Sequence, residues 1–125
     1  MNIFITGMTG TGKTYAAHYL IHDSLLPVFA FSNKDEDFEM IRNITNKNFQ
    51  KVKVNSGMSL KYLPQSNVFF VWGFLTQNER ISFIDKFALL AKQENNIIVL
   101  VDEAHEVLSE NGKHSRELET LICRW

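Results

Sequence analysis

Near its start the chain runs Gly7-Met8-Thr9-Gly10-Thr11-Gly12-Lys13-Thr14, which meets G-x-x-x-x-G-K-[ST] at every fixed position. The pattern restricts the fold because it works only where a strand hands over to a helix. Both flanks agree. Asn2-Ile3-Phe4-Ile5-Thr6 reads as a buried strand, and residues 15–26 read as a helix with Ala16, Leu20 and Ala17, Ile21 at i,i+4 spacing. The spacing G-x-G-x-x-G of a dinucleotide fold is absent.

A glycine-rich turn lets successive backbone N–H groups converge on a phosphate, because no Cβ blocks the approach. The start of the following helix adds unpaired N–H groups and the positive end of its dipole. Gly7 and Gly12 hold the two fixed glycine positions, Gly10 loosens the turn, and Thr11 belongs to the same cradle. Lys13 is expected to reach the β- and γ-phosphates as a point charge, and the Thr14 hydroxyl to ligate Mg²⁺.

A second motif lies far along the chain. Ile97-Ile98-Val99-Leu100-Val101 is the strongest strand signal, and it runs into Asp102-Glu103-Ala104-His105. An apolar strand ending in an acid is the Walker B pattern, in which the Asp helps to hold Mg²⁺. Glu103 projects differently from its neighbour and could orient or deprotonate an attacking water. Asp102, Glu103 and Lys13 are therefore the candidate catalytic residues. Acids at a strand-to-helix junction could also simply cap the next helix. His105 could sense a γ-phosphate or lie on a helix surface. His18 and His22 are four apart, yet no third metal ligand accompanies them.

Between the motifs, apolar runs alternate with helical patterns. Strands are expected over 28–31, 51–54 and 68–72, a short helix around Phe38, Ile41 and Ile44, and a longer one over 78–93. The apolar face expected for the longer helix is Ile81, Ile84, Phe87, Ala88 and Ala91. Pro27 stops the first helix, and residues 33–37 form a polar turn. Continuous apolar strands between helices imply an α/β fold, a mostly parallel sheet covered on both faces.

With 125 residues and no linker or repeat, one domain is expected over 1–125. The single cysteine, Cys123, excludes an internal disulfide and fits a reducing, cytoplasmic setting; no signal peptide is visible. The longest apolar run, 68–75, is too short to span a bilayer. The net charge of −1 hides an asymmetry: residues 40–78 hold no acid, but carry Arg42, Lys47, Lys51, Lys53 and Lys61. With Phe49 and Tyr62 nearby, this segment could touch a nucleic-acid backbone. The preferred reading is a solvated loop and an edge strand protected by lysines.

Three segments together resemble the HerA/FtsK superfamily of DNA-pumping P-loop ATPases. They are Ile5 through Thr14, Val99 through His105, and the helical pattern over 115–125. The layout is most similar to viral genome-packaging ATPases and to the zonular-occludens-toxin-like ATPases of filamentous phages. The resemblance implies a RecA-like (ASCE-type) P-loop NTPase fold and ATP with Mg²⁺ as ligands. It also implies a homo-oligomeric ring, a hexamer, coupling hydrolysis to DNA movement, in the host cytoplasm if viral. It assigns Gly12, Lys13 and Thr14 to phosphate and Mg²⁺, Asp102 to Mg²⁺ and Glu103 to general base. Arg80, Arg116 and Arg124 are the arginine-finger candidates. The family continues with a sensor strand, whereas this chain stops at Trp125 inside a helical pattern with no terminating Gly, Asn or Pro. A fragment or a reduced version is expected, with one flank of the sheet left open.

Two other classes stay in view. One is a nucleotide-binding module that needs a partner, or further chain, to hydrolyse. The other is a small nucleotide kinase, although no arginine-rich lid is visible. The absence of an N/T-K-x-D segment leans towards ATP over GTP.

Overall fold

The computed structural model describes residues 3–6, 25–93, 97–102 and 117, with the backbone alone for 3–6 and 44. The elements are β1 (Ile3–Thr6), β2 (Val28–Ser32), α1 (Asp37–Thr45), β3 (Gln50–Lys53), β4 (Val68–Val71), α2 (Gln77–Ala91) and β5 (Ile98–Val101). The helix expected over 15–26 lies outside the described residues except at its end, where Leu25 and Leu26 are not helical.

The strands form a five-stranded sheet in the order β1-β5-β2-β4-β3, and every pairing is parallel. The three inner strands explain their own composition. Every residue of VFAFS, VFFV and IVLV is buried, as strands covered on both faces require. The outer strand β3, QKVK, is exposed except for a half-buried Val52.

Period-two alternation sends neighbouring side chains to opposite faces. Phe29, Phe31, Phe70, Val99 and Val101 pack with α2, through Phe83, Ile84, Phe87, Ala88 and Ala91. Val28, Ala30, Phe69, Val71 and Leu100 pack on the other face with Ile41 of α1, against which Phe38 also lies. The expected sandwich of helices on both faces is therefore present, with α2 and α1 on opposite sides. In α2 the buried rows run Phe83-Phe87-Ala91 and Ile84-Ala88, while Ile81, expected in the face, is only half-buried at its margin.

Phe31 is the hub of the larger core. Its ring stacks on Phe70 at 4.8 Å and meets Phe87 edge-on at 4.9 Å and Trp72 at 5.0 Å. Aromatic pairs at these separations add to their area burial. Phe31 pairs with Val101, the last residue of β5, so this cluster lies beside the strand end that leads into the acidic motif.

Candidate nucleotide-binding site

All five strands point their carboxyl ends to one edge, the edge at which open parallel sheets bind ligands. The ladder between β1 and β5 ends with Thr6 opposite Val101. The next residues are Gly7, first of the glycine loop, and Asp102. Parallel neighbours lie about 4.8 Å apart, so the strands that lead into the two motifs end side by side although the motifs are remote in sequence.

Asp102 is fixed from beneath. Its N–H donates to the Phe31 carbonyl at 3.0 Å, and the residue is 4% exposed. A carboxylate is costly to bury away from cations or donors, so this position suits a cation ligand. The Asp102 carboxylate is a hard oxygen donor of the kind that Mg²⁺ takes. Of the predicted site residues, Asp102 is described. Gly7, Gly10, Thr11, Gly12, Lys13, Thr14 and Glu103 lie outside the described residues, as do His18, His22, His105, Arg116, Cys123 and Arg124.

Next along this edge, the buried Ser32 ends β2. Its Oγ donates to Asp37 Oδ2 at 2.7 Å and accepts the Lys34 N–H at 3.1 Å, which ties the β2–α1 turn to the start of α1. Beyond it, the turn after β4 is held tightly. The Trp72 N–H donates to the Ser32 carbonyl at 3.0 Å. A Cβ on Gly73 would lie 2.4 Å from the Asn33 carbonyl oxygen, so only glycine fits. Arg80 clips the same turn: its Nε donates to the Trp72 carbonyl at 3.2 Å, and an Nη to the Gly73 carbonyl at 3.4 Å. This arginine therefore holds its own β4–α2 turn.

A family model supplies the class. The AAA model, the ATPase family associated with various cellular activities, matches residues 3–124. The chain belongs to the AAA family. It is a P-loop ATPase, and its parallel sheet with helices on both faces is consistent with that α/β fold. No curated protein and no solved structure matches the chain. Among the described residues no helix is long and apolar enough to cross a membrane.

The basic segment of this AAA chain resolves into separate environments. Phe49 is 8% exposed and packs in the core on the α1 face, so it is not an available surface ring. Tyr62 is exposed. Arg42 pairs with Glu39 at 3.1 Å, and Lys51 with Asp35 at 2.7 Å. Lys53 sits over the ring of Phe74 at 4.3 Å. Sequence reading missed Phe74 because only the pairing of β3 with β4 brings the turn that carries it next to Lys53.

Proposed function

We propose that this chain is a Mg²⁺-dependent ATPase subunit that moves DNA, of the kind that packages viral genomes, and that it works as a hexameric ring. The supporting observation is the last rung of the β1–β5 ladder, where Thr6, the residue before the glycine loop, pairs with Val101, the residue before Asp102. AAA ATPases commonly form oligomeric rings. The likeness of three segments to DNA-pumping ATPases supports DNA as the cargo.

In this reading residues 1–125 act as one ATPase domain. Gly7, Gly10, Thr11 and Gly12 present backbone N–H groups to the phosphates, and Lys13 adds its charge at the β- and γ-phosphates. Thr14 and Asp102 hold Mg²⁺, which neutralises charge that develops on the phosphate oxygens. Glu103 orients the attacking water and accepts its proton. Little covalent chemistry falls to the protein, so catalysis is positioning and charge stabilisation.

The test is Mg²⁺-dependent ATP turnover by the purified chain, with and without double-stranded DNA. DNA-stimulated turnover that disappears in Glu103→Gln supports a self-sufficient motor. ATP binding with no turnover under any of these conditions overturns self-sufficiency, and leaves a module that hydrolyses only with a partner or additional chain.

A further inference from the structure

We propose that the carboxyl edge of β3 and β4 carries a binding surface for single-stranded nucleic acid, with Phe74 as a base-stacking platform and Lys53 and Lys51 as phosphate contacts. This rests on the DNA-motor reading above and names the surface that would hold the strand.

A cavity of about 310 Å³ opens there, lined by Asp35, Lys51, Lys53, Val71 and Phe74. Lys51 and Lys53 are two residues apart on an edge strand, so they share one face, the α1 face, where Lys51 also lies 5.2 Å from the Phe38 ring. Phe74 is 74% exposed, an unusual placement for a phenylalanine in a chain with a large aromatic core. Ordinary packing does not account for it. The two residues before it are held, Trp72 by its N–H bond to the Ser32 carbonyl and both Trp72 and Gly73 by the Arg80 clip, so the ring is presented from a pinned turn. Lys53 lies over the ring.

A fixed exposed aromatic beside paired lysines is the arrangement that binds unpaired bases with little sequence preference. A duplex keeps its bases stacked inside and offers no free face to such a ring. The carboxylate in the cavity, Asp35, holds Lys51 through an exposed pair, and such pairs contribute little, so a phosphate can displace it. The surface shares the sheet edge with the nucleotide site. The order β1-β5-β2-β4 puts three strand spacings, about 14 Å, between the end of β1 and the end of β4. That separation permits a strand and a nucleotide to be bound together.

Fluorescence anisotropy of a labelled oligothymidylate with the full chain, over a range of salt, tests the surface. Phe74→Ala is expected to weaken binding about ten-fold, and Phe74→Tyr to restore it. Lys53→Glu is expected to weaken binding and flatten its salt dependence. Asp35→Asn is expected to tighten it. Binding that survives Phe74→Ala and Lys53→Glu overturns the surface and leaves the DNA-motor reading standing. A preference for duplex over single strands overturns the single-strand assignment. Failure of the unaltered chain to bind either form overturns both readings. ATP turnover indifferent to DNA, with Phe74-dependent binding intact, overturns the motor reading alone.

Discussion

Thr6 and Val101 face each other across the last rung of the β1–β5 ladder. Each is the final strand residue before a motif, so one backbone register joins the strand ends that lead into the glycine loop and the acidic pair. The coupling predicts distinct losses at the two ends. Lys13→Ala is expected to abolish ATP binding or turnover, because the phosphate charge loses its cation. Glu103→Gln is expected to retain binding and lose turnover. Asp102→Asn is expected to weaken the Mg²⁺ dependence of binding. Nucleotide binding and steady-state turnover, measured across a Mg²⁺ titration, separate the three. Normal turnover in Glu103→Gln would remove that residue from the role of base.

The register also makes the site depend on the core. The Phe31 carbonyl accepts the Asp102 N–H while the Phe31 ring anchors the aromatic cluster with Phe70, Phe87 and Trp72. Phe31→Ala is expected to cost about 3–5 kcal/mol, a large share of the ~5–15 kcal/mol that holds a domain folded. Chemical denaturation would show a lower midpoint. Phe31→Leu, which keeps most of the volume, is expected to lose much less.

Sequence reading captured the parts of this fold that depend on local pattern. The inner strands were legible because strands buried on both faces are continuously apolar, and α2 because Ile84, Phe87, Ala88 and Ala91 repeat at helical spacing. Phe83 was missed and Ile81 overrated because a helix's exact facing is set by what the sheet presents, here the rings of Phe31 and Phe70. Phe49 looked like a surface ring from its basic neighbours, yet it is buried on the α1 face. The Walker motifs were legible as motifs, whereas the adjacency of Asp102 to the loop-bearing strand needed the strand order. Lys51 with Asp35 and Lys53 with Phe74 are tertiary pairings, so no local signal marks them.

Gly73 is a position where geometry excludes every other residue. Its α-carbon faces the Asn33 carbonyl so closely that a methyl group would lie 2.4 Å from the oxygen. Backbone atoms on both sides leave little room to yield. Gly73→Ala is expected to destabilise the fold by about 1–3 kcal/mol, as overpacking does, and to disturb the turn that carries Phe74. Thermal unfolding checks the first effect. An unchanged melting temperature would mean that the two turns separate readily.

The start of α2 carries a pH-dependent contribution. Thr76 caps the helix by accepting the Glu79 N–H at 3.3 Å, and the Glu79 carboxylate accepts the Thr76 N–H at 2.9 Å, completing a capping box. Glu79 also accepts the Ser56 hydroxyl, which ties the loop after β3 to the helix. The Ser56 bond first, and then the Thr76 bonds, hold the Glu79 carboxyl below its ordinary value of 4.5. A carboxyl whose pKa is lower folded than unfolded contributes stability above the unfolded value, and that contribution is lost as pH falls through the folded one. The stability advantage of the unaltered chain over Glu79→Gln is therefore expected to be full near neutrality and to shrink on acidification below the ordinary carboxylate range. Thr76→Ala is expected to cost about 0.5–2 kcal/mol at neutral pH. Urea denaturation of the three proteins at several pH values checks both effects. A Glu79→Gln difference that stays constant across the acid range would mean that the capping bonds do not depend on the charge.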